Sequence, residues 1–304
     1  MALESFDLRE YDLVVSSESG PAKGVIVPST TRHVCYCHTP MRYLWELYPA
    51  YLNEWTHSGI KRLLMRPIAR NLRLWDFASS ARVDGFVANS ENVRQRIWKT
   101  YRRESKVVHP PVAVETFFYR PAEDFFLIAA ELVPYKRLDY AVRHFSRTGR
   151  KLRIAGDGPE YRNLKRHAGP SVEFCGRVSA DELRELYARS RALVVPGEED
   201  FGITMVEALA SGKPVLALGR GGACEIVLDG AQAPGLRMGI LYPEPTVEDL
   251  EDTLTRFDVI EHDFHPKQLQ RWAAQFSEAR FQANMQRILA APDPVAELVP
   301  SPFA

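Results

Sequence analysis

Pro196-Gly197-Glu198-Glu199-Asp200-Phe201-Gly202-Ile203-Thr204-Met205-Val206-Glu207-Ala208-Leu209-Ala210-Ser211-Gly212-Lys213-Pro214-Val215 is the stretch that decides the fold. Before it, Ala192-Leu193-Val194-Val195 is a short apolar run bounded by breakers, and so predicts a buried strand. After Gly202 the apolar residues Ile203, Val206, Leu209 and Ala210 recur at helical spacing, and Ser211-Gly212-Lys213-Pro214 supplies a stop. Glu199 therefore falls at the carboxyl end of a strand, and Glu207 one to two turns into the helix that follows. In open α/β sheets ligands sit outside the carboxyl ends of the strands. A helix start, here near Gly202 and Ile203, is a natural place for an anion.

Outward from this run the chain alternates strand and helix, which argues for parallel sheets with helical crossovers. Tyr11–Ser17, His33–His38 and Gly85–Ser90 read as strands, and the last leads into a helix from Glu91 to about Tyr101 with Asn89 or Ser90 as N-cap. Val107–Val112 is a proline-stiffened linker. Five further strands follow, Phe125–Ala130, Leu152–Gly156, Val172–Gly176, Ala192–Val195 and Pro214–Leu218, enough for a complete Rossmann-like domain. A final helix runs from about His265 to Leu289 and ends in the Pro- and Ala-rich tail Ala290–Ala304.

With 304 residues the chain has room for two domains. Hydrophobic content of 45% and charged content of 26% are those of a soluble globular protein, without a membrane-spanning stretch or a signal peptide. The four cysteines, Cys35, Cys37, Cys175 and Cys224, make no disulfide framework in a chain of this size, so a cytoplasmic setting is expected. The zero net charge hides an asymmetry. Residues 1–120 hold 17 Lys and Arg against 12 Asp and Glu, and 121–304 hold 22 against 27. Much of the excess lies in Lys61–Arg82, where Lys61, Arg62, Arg66, Arg70, Arg73 and Arg82 are interleaved with apolar residues. Three readings stay open for this helix or helix pair: a core-packed helix with a solvated basic face, docking on an anionic membrane surface, and nucleic-acid binding. The third is weakest, because no aromatic-basic recognition module accompanies the run.

The whole string Glu199-Asp200-Phe201-Gly202 to Glu207-Ala208, with Gly212-Lys213-Pro214-Val215 after it, resembles the paired-glutamate element of retaining GT-B glycosyltransferases of family 4, the glycosyl transferases group 1 family. The resemblance implies that Glu199 holds hydroxyls of the donor sugar and Glu207 the ribose of the nucleotide. Phe201, Gly202, Ile203 and Thr204 form the loop and helix start against the diphosphate. It also implies that Lys136 in Val133-Pro134-Tyr135-Lys136-Arg137 stabilises the departing diphosphate, with Arg137 as the second cation, since Ala130-Glu131-Leu132 stands where many members carry a Gly-Arg pair. Gly156 in Gly156-Asp157-Gly158-Pro159 lets the backbone approach the nucleotide, and Arg177-Val178 resembles the loop that reads the base. Tyr36-Cys37-His38-Thr39-Pro40-Met41-Arg42-Tyr43-Leu44-Trp45, with Ala22-Lys23-Gly24-Val25, resembles the WbaZ-like mannosyltransferase branch, and the wider resemblance to GT-B enzymes implies that His38 takes the place of a histidine that contacts the donor sugar. A buried structural histidine is the plainer reading of His38. A zinc site from His33, Cys35, Cys37 and His38 has the right ligand types at a spacing that matches no usual pattern.

These expectations combine into an α/β protein of GT-B type, two Rossmann-like domains facing a cleft, the N-terminal one incomplete by about 80 residues relative to typical members. The expected domains are 1–118 on the acceptor side, 119–290 for the nucleotide sugar with a closing helix, and a tail over 291–304. The expected activity is transfer of a hexose, mannose from GDP-mannose in preference to a UDP-sugar, to a saccharide or lipid-linked saccharide acceptor. Neither a metal nor a cofactor is expected. Other expectations are a peripheral contact with the inner membrane face through Lys61–Arg82, self-association through an open sheet edge, and no nucleic-acid partner. The alternatives are a nucleotide-sugar-binding subunit or scaffold without turnover and, behind it, a sugar-nucleotide epimerase of the same fold.

Overall fold

A computed structural model describes residues 2–52, 58–230 and 235–291. Thirteen of the residues in the expected tail, 292–304, lie outside the described residues. The chain forms two compact units. One runs to His109 and takes in the stretch from Gln282; the other is Pro110–Phe281. The divide at 109/110 lies inside the proline-stiffened segment, where the sequence places its linker. The expected domain limits are 118/119 and 290/291; the compact units divide instead at 109/110 and at 281/282.

The first unit is built on the strands β1 (Leu13–Glu18), β2 (Arg32–Cys37), β3 (Gly85–Ala88) and β4 (Ser105–Val107), all parallel in the order β1-β2-β3-β4. β3 is buried along its length and β2 from His33 onward, as near-continuous apolar runs of a parallel sheet require, whereas β1 at the edge alternates exposed and buried residues. Its helices are the single turn α1 (Tyr48–Ala50), the long α2 (Gly59–Ser80) and α3 (Glu91–Tyr101). Ser90 is the N-cap of α3, its Oγ accepting from the Val93 amide at 3.1 Å.

Beneath this sheet lies a buried charge cluster. Lys23 is wholly buried; its Nζ meets a carboxylate oxygen of Asp76 and lies 3.2 Å from Glu18. Asp76 also accepts from Trp45 Nε1 at 2.7 Å and from the Tyr101 hydroxyl at 2.9 Å. Burial raises the pKa of Glu18, and the Lys23 cation works against that rise. One carboxylate thus ties α2 to the β1–β2 crossover, to the segment after β2 and to α3.

The second unit alternates without exception: β5 (Phe126–Ala129), α4 (Leu138–Thr148), β6 (Leu152–Ala155), α5 (Tyr161–His167), β7 (Val172–Gly176), α6 (Ala180–Arg189), β8 (Leu193–Val195), α7 (Ile203–Ala210), β9 (Val215–Leu218), α8 (Ala223–Ile226), β10 (Gly239–Tyr242) and α9 (Val247–Ile260). The sheet is parallel, ordered β10-β9-β8-β5-β6-β7. β10 is a strand that the sequence pattern does not announce: it is four residues long and opens on a glycine. The expected final helix divides into α10 (Pro266–Ala273) and α11 (Glu278–Ala290). Between them Phe276 is buried against the ring of Phe201, centroids 5.6 Å apart, and its carbonyl accepts from the Val112 amide at 3.0 Å. Those two anchors hold the chain out of helix at the break. In the first unit the Arg32 guanidinium donates to the carbonyls of Ile288 and Leu289, at 2.9 and 2.8 Å, and so caps the end of α11.

Lys213, between α7 and β9, is only 2% exposed. Its Nζ donates to the Arg120 carbonyl at 2.8 Å and lies 4.7 Å from the centre of the Tyr119 ring. Burial lowers its pKa to about 8, against an ordinary 10.5. Between those two values the unfolded chain holds a proton that the folded one has released, so stability rises with pH across that window. The expected gain is up to about 3 kcal/mol, and it disappears in Lys213→Met. Urea titrations of both proteins across the window check this; parallel curves would refute it.

Candidate active site

The order of the second sheet reverses between β5 and β8, so the loops after these strands, 130–137 and 196–202, leave its carboxyl edge side by side. They touch backbone to backbone. A Cβ at Gly197 would fall 2.7 Å from Lys136 Cα, so only glycine permits the approach. Gly156 does the same for the β6 loop: its φ is +140°, and a Cβ there would lie 1.9 Å from the Ala130 carbonyl oxygen. The Leu132 amide donates to the Asp157 carbonyl at 3.0 Å, and the Glu160 amide to the Leu132 carbonyl at 2.9 Å, which locks the two loops together.

This stacking brings Lys136 and Glu199 into contact, from 63 positions apart in the chain. Lys136 Nζ lies 2.5 Å from both Oε1 and Oε2 of Glu199, and the two side chains are 18% and 15% exposed. The cation and the carboxylate are each other's partner, a charge-assisted pair largely screened from water. They line a void of about 10 Å³ with Thr204. Next to it, sharing Ala129, Ala130 and Thr204, opens a cavity of about 680 Å³.

Of the residues singled out in the sequence, Gly156, Arg177, Val178 and Thr204 line this cavity. Gly202, with φ +102°, starts α7 in left-handed backbone. The first amides of that helix, at Ile203 and Thr204, have no acceptor within the helix itself. The Phe201 side chain points into the core, and the Ile203 side chain is exposed. Arg137 sits in left-handed backbone at φ +52° ahead of α4; its Nε donates to Asp139 Oδ1 at 3.2 Å, and the structure does not bring it into the cavity lining. Arg177 is exposed on the rim.

Glu207 sits one turn into α7 and is held by a residue that the sequence reading did not select. Tyr187, on α6, is wholly buried, stacks edge-on to Phe117 at 6.0 Å and donates from its hydroxyl to Glu207 Oε2 at 2.8 Å. Burial raises the Glu207 pKa, and the Tyr187 hydrogen bond opposes the rise. Helical spacing puts Tyr187 on the buried face of α6, and a buried tyrosine hydroxyl needs a partner; which partner is a tertiary fact. Glu131 and Asp157 also line the cavity, two carboxylates that no motif marks as ligand-facing.

In the first unit His38 follows β2. Its Nε2 lies 2.9 Å from Ser17 Oγ, its amide donates to the Glu18 carbonyl at 2.7 Å, and its ring meets Tyr36 edge-on at 5.2 Å. Cys35 and Cys37 pack in an apolar cluster with Phe86, Val93 and Ile97, and His33 Nε2 pairs with Ser16 Oγ at 2.9 Å. That packing gives His33, Cys35 and Cys37 the role of core residues.

Residues 118–273, just over half of the chain, match the family described as Glycosyl transferases group 1. An uncharacterized glycosyltransferase of Methanocaldococcus jannaschii is 24% identical over 204 residues, which are 66% of this chain and 56% of that protein. The GDP-mannose-dependent α-(1-6)-phosphatidylinositol monomannoside mannosyltransferase of Mycolicibacterium smegmatis is 29% identical over 208 residues, 58% of this chain and 54% of that protein. The chain thus spans about half the length of these curated relatives. Among solved structures, the sucrose-phosphate synthase of Thermosynechococcus elongatus superposes with a TM-score of 0.71 at 16% identity, over 92% of this chain and 73% of that one. The shared fold is α/β with two Rossmann-like parallel sheets, the GT-B type.

Proposed function

Because the chain belongs to the glycosyl transferases group 1 family, we propose that it is a retaining, metal-independent hexosyltransferase of the WbaZ-like branch of family 4, which moves mannose from GDP-mannose to a saccharide or lipid-linked saccharide acceptor. The observation that carries this reading is the closed Lys136–Glu199 pair at the point where the strand order reverses, beside a cavity of about 680 Å³ and the start of α7. The donor's sugar hydroxyls take over Glu199, and Lys136 swings to the diphosphate. The bond from the anomeric carbon to the phosphate oxygen breaks, and its electron pair stays on the diphosphate. Lys136 and the first amides of α7 stabilise that charge. The acceptor hydroxyl attacks on the face the diphosphate leaves, and its proton passes to the departing phosphate oxygen. Glu207 holds the ribose, the backbone of the Gly156 turn, packed against Ala130, lies along the nucleotide, and Arg177 with Val178 faces the base. His38, which follows β2, is the further donor-sugar contact that this reading assigns.

Support for a GDP-sugar comes from the mannosyltransferase relative, whose name states that dependence. A thermal-shift panel of GDP-, UDP- and ADP-sugars, followed by an assay for released nucleoside diphosphate, tests the proposal. A shift for GDP-mannose with turnover supports it; equal shifts for all nucleotides remove the donor assignment, and binding without turnover removes the enzyme.

The Glu207 environment gives a pH signature. To accept hydrogen bonds from both ribose hydroxyls, Glu207 must be ionised, and its pKa is raised by burial. Donor affinity therefore falls on acidification while ordinary glutamates are still charged. Tyr187→Phe removes the bond that lowers the Glu207 pKa, so the acid limb of the affinity curve moves to higher pH. Calorimetric titration of GDP into both proteins across the mildly acidic range reads this out. An unmoved acid limb would separate Tyr187 from donor binding.

A further inference from the structure

An amphipathic surface helix turns its large apolar side chains to the core. The 22-residue α2 packs Ala69, Leu72 and Trp75 inward but leaves most of its large apolar side chains on the outer side. Its buried residues are Ala69, Asp76, Ser79 and Ser80, while Ile60, Leu63, Leu64, Ile68, Leu74 and Phe77 are 49–75% exposed. At 3.6 residues per turn these six fall in one outward arc, the largest run of exposed apolar side chains on any helix among the described residues.

The charges around the arc are all of one sign. Lys61 and Arg66 are exposed at its two margins and Arg70 within it, where its long side chain can carry the charge outward, and the only carboxylate on the helix, Asp76, is wholly buried and paired with Lys23. An exposed apolar arc bordered by cations fits a surface that is apolar beneath and anionic above. A second copy of this chain fits worse: helix against helix would bring Arg66 and Arg70 of the two copies together with no exposed carboxylate on α2 to meet them. Five cations on one helix also rule out a spanning role, and no helix among the described residues is long and apolar enough to cross a bilayer.

We propose that α2 lies in the plane of an anionic lipid surface, its Ile60–Phe77 arc sunk among the acyl chains and Lys61, Arg66 and Arg70 at the level of the head groups. The apolar arc supplies the insertion and the cations supply the preference for negative lipid.

The test is co-sedimentation of the full chain with vesicles of phosphatidylcholine alone and of phosphatidylcholine with phosphatidylglycerol. Binding is expected to the anionic vesicles only, and to weaken as salt shortens the range of the attraction. Arg66→Ala with Arg70→Ala lowers the partition coefficient about 25-fold, at about fivefold per cation. Leu64→Gln with Ile68→Gln abolishes sedimentation, and Val259→Gln, an exposed apolar residue of the second unit, leaves it unchanged. All substitutions are at exposed positions, and unchanged thermal melts keep loss of fold apart from loss of binding. Equal binding to neutral vesicles, no binding to either, or retention by Leu64→Gln with Ile68→Gln would overturn the proposal. So would a dimer, seen by sedimentation velocity without lipid, that the same two substitutions dissolve; the arc would then be an interface between copies.

Discussion

Glu199→Gln is expected to lower donor turnover by about a hundred- to a thousandfold and, in the same protein, to tighten the binding of free nucleoside diphosphate. The second effect follows from the geometry of the resting pair. Both Glu199 oxygens lie 2.5 Å from Lys136 Nζ, so the cation that the proposed mechanism assigns to the diphosphate is already paired. A bound diphosphate must draw Lys136 away from its carboxylate, against an attraction that for unit charges about 4 Å apart is about 4 kcal/mol at an effective dielectric of about 20 and is larger at contact, less what partial exposure screens. Gln keeps the shape and removes that competition; about tenfold tighter GDP binding is expected. It accepts sugar hydroxyls less strongly than a carboxylate, hence the loss of turnover. Lys136→Met should lose both binding and turnover. Calorimetry with GDP and a turnover assay on the two variants read opposite signs for binding. If Glu199→Gln weakened GDP binding, the pair would not be the competitor that the distances describe.

The other large effect is structural. Asp76→Ala is expected to destabilise the first unit by about 3–5 kcal/mol, because it takes from the wholly buried Lys23 cation the nearer of its two carboxylates, leaving only Glu18, and frees two donors, Trp45 Nε1 and the Tyr101 hydroxyl. Asp7→Ala breaks an ion pair at a similar distance, with Arg9 at 2.6 Å, yet both of those side chains are more than half exposed and the melting curve should not move. Denaturant titration followed by tryptophan fluorescence checks the contrast, since Trp45 and Trp75 flank Asp76 and Lys23. Equal loss in the two variants would mean that burial is not what gives the Asp76 pair its weight.

Much of the second unit was legible in the sequence. Glu199, Glu207 and Lys136 could be placed because each lies at a strand-to-helix junction, and such junctions are written locally, in an apolar run, a breaker and a helical period. β10 escaped because a four-residue strand opening on Gly239 carries too little pattern to separate from its surroundings. The helix expected from His265 broke at Phe276 because of partners far away in the chain, Phe201 and Val112. Tyr187 and Asp76 belong to the same class: a sequence shows that a buried hydroxyl or carboxylate needs a partner, and only the packed chain shows which. α2 is the instructive case. Its cations were countable from the sequence, but the side of the helix that meets the sheet was not. Ala69, Ser79 and Ser80 share that side with Leu72 and Trp75, and the register is the one in which Asp76 reaches Lys23.

The backbone contact of the loops at Gly156 and Gly197 has a consequence for how such a pocket can diversify. Where main chain rests directly on main chain, most substitutions are closed off, and the wall itself has little room to change shape from one homologue to the next. Variation is left to side chains that project from the wall without supporting it. In this chain those are Glu131, Asp157, Arg177 and Thr204, two acids, one base and a hydroxyl around one cavity. A change of preferred ligand should therefore be achievable by exchanging a handful of projecting groups on an unchanged frame.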